Sequence, residues 1–171
     1  TITLRNIILD MDGNKEAEAS KEQAIEAGQS VELSMALKLS RPDLWDVDHP
    51  YLYTVKSVVE VNGEVVDEYD TRFGVRSFEF KADSGFWLNG RELKLKGVCM
   101  HHDLGALGSA VHRRALERQL DILESFGVNA IRTAHNPPAP ELLELCDERG
   151  FLVMDEAFDM WRRAKTQYDY A

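Results

Sequence analysis

Between Phe126 and Trp161 the chain alternates two apolar runs too short for helices with one amphipathic segment too long for a strand. Val128 to Ile131 is the first run and Phe151 to Met154 the second. Apolar runs this short, separated by a helical pattern, predict βαβ units and therefore a parallel sheet. Each run ends in groups that hydrogen-bond or ionise. Arg132, His135 and Asn136 follow the first; Asp155, Glu156 and Asp159 follow the second. Parallel α/β folds hold ligands at the carboxyl ends of their strands, so these clusters are candidate site residues.

The pattern extends upstream. Phe86-Trp87-Leu88 and Leu93-Lys94-Leu95 flank Asn89-Gly90, a strong hairpin signal. The second arm continues through Lys96 to Met100 into His101-His102-Asp103. Leu116, Leu120, Leu123 and Phe126 then recur at helical spacing, with Ile122 widening the apolar stripe and Gly127 suited to end the helix. A second helix is expected with Pro140 in its first turn, Glu141 and Glu144 toward its positive end, Arg149 near its negative end and Gly150 as its stop. The order hairpin, β, α, β, α, β fits the start of a (β/α)8 barrel or part of an open doubly wound sheet. No glycine-rich phosphate loop follows any strand, which disfavours a nucleotide site. A whole barrel needs about 250 residues, so the roughly 80 after the hairpin make less than half of one.

Residues 1–80 read as all-β. Val31, Leu33, Met35, Leu37 and Leu39 alternate as a half-buried strand should; Tyr51, Tyr53, Val55, Val59 and Val61 share a parity in the next run. Asn62-Gly63 and Asp12-Gly13 mark hairpins linking Val65–Thr71 to the run before it and Lys15–Ala19 to Ile2–Met11. With Val75–Phe80 this makes about six strands, near the roughly seven of an immunoglobulin-like sandwich, with a first edge strand expected before Thr1. Arg41 to Tyr53 reads as a loop crossing between sheets, anchored by Trp45. The expected division is 1–80 as a sandwich with a packing role and 81–171 as the part that carries chemistry.

The formal charge of −10 repels phosphate backbones, so nucleic acid is not an expected partner. No run approaches the roughly 18 apolar residues of a membrane span. The chain opens in mid-strand without a leader pattern, which reads as a piece of a longer protein and leaves cytoplasmic, periplasmic and secreted compartments all open. Cys99 and Cys146, in unrelated contexts, read as buried thiols. His101, His102, His135 and Asp155 are ligand types that suit zinc, yet adjacent strand histidines point to opposite faces and no HExxH spacing occurs, so no metal site is expected. Each cluster also has a plain structural reading, such as Arg132 pairing with Asp155 or Glu156 between strands. Polar clusters at every strand end argue for a shared pocket.

KGVCMHHDLGALG (Lys96 to Gly108), FGVNAIRTAHNPPAPELLELCDERGFLVMDEAFDMW (Phe126 to Trp161) and FGVRSFEF (Phe73 to Phe80) resemble glycoside hydrolase family 2, which includes β-galactosidases, β-glucuronidases and β-mannosidases. The resemblance implies an immunoglobulin-like β-sandwich followed by the first three βα units of a TIM barrel. It implies a retaining exo-β-glycosidase, most simply a β-galactosidase, using two carboxyl groups about 5–5.5 Å apart. Both are glutamates on later barrel strands in that family, the acid/base following an asparagine. No strand-ending Asn-Glu occurs here, so both are expected beyond Ala171 and the chain alone is expected to be inactive. By the same resemblance His101 and His135 line the subsite for the non-reducing sugar, Arg132 orients a carboxylate, Asp155 and Glu156 hold the polar network, and Asn136 and Trp161 complete the substrate-binding set. Some family members have an asparagine at the position of Cys99 and magnesium ligands spaced as Glu-x-His where this chain has Asp159 and Trp161. No cofactor is therefore expected here, magnesium or sodium belonging at most to the parent. The partner is a carbohydrate, and an open partial barrel is expected to self-associate. The alternative is a non-catalytic carbohydrate-binding or scaffold module on the same framework.

Overall fold

The computed structural model describes residues 1–159 and Gln167. The chain divides into two compact units: Thr1–Trp45 with Tyr51–Arg76, and Asp46–Pro50 with the residues from Ser77 onward.

The first unit is built on one antiparallel sheet. Its strands are β1 (Ile2–Leu9), β2 (Lys15–Gln23), β3 (Tyr53–Val61) and β4 (Glu64–Phe73), in the order β2-β1-β3-β4. The turns have local causes. Asp10 Oδ1 accepts the backbone N–H groups of Asp12 (2.9 Å) and Asn14 (2.7 Å), which closes the β1–β2 turn. Asn62 and Gly63 both take positive φ, 52° and 81°, as a type I′ turn between β3 and β4 requires. Cross-strand register puts Ile2, Leu4 and Ile8 opposite Val61, Val59 and Val55 on one face. The other face carries ion pairs, Arg5–Glu60 at 2.5 Å and Lys56–Glu68 at 3.0 Å. Trp45 is buried as the anchor the sequence suggests, with the Arg76 guanidinium 4.7 Å above its ring. A Cβ on Gly74 would stand 2.6 Å from Trp45 Cβ, so only glycine fits there.

Two expectations for this half are corrected. Val31–Leu39 is not a strand among the described residues: Leu33, Met35, Leu37 and Leu39 are half-buried in alternation, but the segment pairs with no ladder. Alternating burial requires only an extended chain, whereas a strand also requires a hydrogen-bonded neighbour. Val75–Phe80 is likewise split. Val75 makes an isolated bridge to Leu44, and Phe78 begins a strand of the second unit.

The second unit opens with a small antiparallel sheet of β5 (Phe78–Lys81), β6 (Gly85–Leu88) and β7 (Arg91–Glu92). The expected arm at Leu93–Leu95 is corrected to the two residues before it, with Leu93 N–H still donating to Phe86 O at 2.9 Å. Next come β8 (Gly97–Met100), α1 (Arg113–Ser125), β9 (Ala130–Thr133), α2 (Pro140–Arg149) and β10 (Leu152–Met154). The three strands form a parallel sheet in the order β10-β9-β8. Strand parity sorts its faces. Ile131 packs with Leu116, Leu120, Leu142, Leu145, Cys146 and Phe151 in the core, joined by Val98, Met100 and Val153. Cys99, Arg132 and Met154 are register partners on the other parity, so they share the opposite face.

The helix ends follow their residues. Pro140 occupies the first turn of α2, Glu141 lies beside it, Arg149 lies in the last turn, and Gly150 takes φ 78°. Arg149 ties α2 to α1 through Asp121 (2.7 Å) and Glu124. Arg113 does the same from α1 through Glu148 (2.5 Å) and Glu144 (3.2 Å). Asp46–Pro50 belongs to this unit: Asp46 accepts from Arg91 at 2.5 Å, and a Cβ on Gly150 would collide with the Val47 carbonyl oxygen. Phe126 departs from the expected apolar stripe. It is the C-cap rather than a helical residue, and it is 80% exposed. Cys99 is corrected too: it is exposed, and Cys146 alone is the buried thiol, its pKa pushed up to about 12 by that burial. No helix of the described residues is long and apolar enough to cross a membrane.

Candidate functional site

Because β8, β9 and β10 run parallel, their carboxyl ends open at one rim, and the residues just beyond them meet there. Arg132 is the hub. Its Nε donates to Glu156 Oε1 at 2.5 Å, its Nη1 donates to Cys99 Sγ at 3.4 Å, and its Nη2 lies 3.4 Å from His135 Nδ1. Glu156 Oε2 is 3.2 Å from the same His135 nitrogen, and Asp159 Oδ1 is 3.9 Å from it. His135 Nδ1 thus lies between a guanidinium donor and a carboxylate acceptor, and its tautomer sets which of the two it bonds. The His101 ring meets the His135 ring edge-on, centroids 5.7 Å apart and planes at 82°.

Thr133 fixes the exit of β10 relative to β9. Its hydroxyl accepts the Glu156 backbone N–H at 3.1 Å and donates to Asp155 Oδ1 at 3.2 Å. Glu156 is thereby held at its backbone by Thr133 and at its carboxylate by Arg132 and His135. The Arg132 hydrogen bond, reinforced by His135, lowers the Glu156 pKa below its ordinary value. The Cys99 sulfur and Glu156 raise that of Arg132 in turn. A general acid needs the opposite shift.

Of the residues singled out from sequence, His101, Arg132, His135 and Glu156 come together, and Asp155 joins through Thr133. Asn136 and His102 line a cavity of about 40 Å³ together with His101 and Thr133. Trp161 lies outside the described residues. Asp159, expected from the second strand end, reaches within 3.9 Å of His135 Nδ1; Cys99 and Thr133 complete the cluster without having been read as parts of it. Register would have found Cys99, which stands directly across from Arg132. Among the described residues no group of three or more His, Cys, Asp or Glu side chains is placed to hold a metal ion.

The family model described as "Glycosyl hydrolases family 2" matches residues 1–76, and that described as "Glycosyl hydrolases family 2, TIM barrel domain" matches residues 79–163. A β-galactosidase from Bacteroides ovatus is 53% identical over 170 residues, 99% of this chain and 20% of its own length. A putative β-glucuronidase from Formosa agariphila is 43% identical over 141 residues, 82% of this chain and 14% of its own length. A solved glycosyl hydrolase family 2 member from Bacteroides cellulosilyticus superposes with a TM-score of 0.92 at 41% identity, covering 98% of this chain and 22% of that one. The chain thus spans about a fifth of the length of such relatives. Its first unit corresponds to the family's immunoglobulin-like domain, and its β/α units to the start of the family's barrel. The chain belongs to glycoside hydrolase family 2.

Proposed function

We propose that this chain supplies the sugar-contacting rim of a retaining exo-β-glycosidase acting on terminal β-galactosides. The observation that carries the reading is the meeting of His101, Arg132, His135 and Glu156 where three parallel strands end. In this reading His101 and His135 bond to the hydroxyls of the terminal sugar, and Arg132, Glu156 and Asp155 hold them in place. Asn136, and from sequence alone Trp161, belong to the substrate-binding set in this reading. Residues 1–80 serve as support and 81–171 carry the site. Neither catalytic carboxyl belongs to this chain, because Glu156 is held ionised with both oxygens engaged.

Relatives include enzymes named for galactosides and for glucuronides. The rim favours the neutral sugar. The Arg132 charge is already met by Glu156, and Asp155 and Asp159 add negative charge that a uronate carboxylate would have to face. Calorimetric titration of the chain is expected to show galactose binding more tightly than glucuronate, and His135→Ala weakening galactose by about tenfold, roughly 1.4 kcal/mol. Glucuronate preference would overturn the galactoside reading. Turnover of a nitrophenyl β-galactoside that Glu156→Gln abolishes would overturn the placement of the catalytic pair.

A further inference from the structure

Gln119 stands where the pattern of α1 calls for an apolar residue. Leu116, Leu120 and Leu123 form the stripe that packs on the sheet, and Gln119 lies within it at the spacing of a neighbour. A carboxamide on such a face is costly unless it is hydrogen-bonded. Its Nε2 is bonded, donating to the Asp103 carbonyl at 3.3 Å. Its Oε1 is buried and has no hydrogen-bond partner among the described residues. The side chain lines a cavity of about 40 Å³ whose wall is mostly apolar, with Leu116 and Leu142 beside His101, Ser109, Thr133 and Asn136.

We propose that Gln119 is a positioning residue for His101: its amide group ties the loop after β8 to α1 through the Asp103 carbonyl. Asp103 is two residues beyond His101, so the tether acts close to the imidazole. The loop is otherwise closed mainly on itself, with Leu104 N–H donating to Gly108 O (2.8 Å) and Gly105 N–H donating to Asp103 Oδ1 (2.8 Å). The other end of the tether is firm, because the adjoining Leu120 is fully buried. His101 keeps its edge-on contact with His135 only while the loop keeps its place relative to α1. The consequence for sugar binding rests on the function proposed above; the tether itself does not.

NMR of the intact chain tests this with Gln119→Glu, which replaces the donor with an oxygen facing the Asp103 carbonyl, and Gln119→Met, which keeps the stem without hydrogen bonds. Both are expected to lose the His101–His135 ring cross-peak and to speed amide exchange at Leu104 and Gly108 by about tenfold, with Ile131 and Leu145 amides unchanged. Galactose affinity is expected to fall by about tenfold in both. Ring contact and loop protection that survive in both variants would overturn the proposal. If neither variant folds, the wild type decides: carboxamide protons of Gln119 that exchange slowly support it, and free-amide exchange overturns it. A wild type that binds no galactose while the variants still lose the ring contact would remove the glycosidase reading and leave the tether standing.

Discussion

Arg132 engages a sulfur, a carboxylate and an imidazole within a few ångströms, so the rim is held by one guanidinium. Its strongest link is to Glu156, whose carboxyl is brought below the ordinary 4.5. A carboxyl lowered in the folded state stabilises the fold fully above its unfolded value, and that contribution fades as pH falls through the folded one. The Glu156 part of the stability is therefore expected to be constant from neutral pH down to 4.5 and to be lost only below it. Carboxyl 13C titration checks this, and a Glu156 midpoint above 4.5 would contradict it. Sequence reached His101, Arg132, His135 and Glu156 because strand ends are where polar clusters stand out against apolar runs. It did not reach Cys99 or Thr133, whose roles depend on which strand lies alongside and in what register. Cys99 reads as an apolar strand residue until its parity is known.

Among the elements, α2 and β10 were the most legible, since Pro140, Arg149 and Gly150 mark the helix boundaries chemically. The hairpin turns at Asp12-Gly13, Asn62-Gly63 and Asn89-Gly90 were equally plain, because positive φ at Asn62, Asn89 and the three glycines limits the choice of residue. What escaped was pairing. Leu33 to Leu39 has the right period and no ladder, and Phe78 pairs forward into the second unit rather than back into the first. Both depend on distant partners that local pattern does not encode. The α2–β10 junction has the sharpest mutational consequence. Gly150 combines a left-handed backbone with the Val47 carbonyl in the space a methyl would need. Gly150→Ala is expected to cost about 3 kcal/mol, left-handed strain and overpacking together. Urea unfolding should show a lower midpoint with an unchanged slope, and a midpoint within error of wild type would refute the clash.

At the scale of the whole molecule, the parallel sheet is covered on only one side among the described residues. Helices and core lie behind Ile131, while Cys99 and Met154 are exposed on the other face, Met154 at 59%. On the small antiparallel sheet Phe78 and Phe80 are 62% and 69% exposed. Strands with open edges and uncovered apolar side chains are places where chains associate. The negative charge opposes this at low salt and is screened as salt rises. Light scattering is expected to show self-association that grows with ionic strength, and a monodisperse monomer at high salt would rule it out.

Asp46–Pro50 separates residues of the first unit in sequence yet meets Arg91 and Gly150 within the second. A genetic cut between Arg76 and Ser77 would therefore not yield two self-sufficient halves. The downstream piece would leave behind the carboxylate that receives Arg91 and the carbonyl that crowds Gly150, and only a peptide carrying those five residues, added back, would restore them.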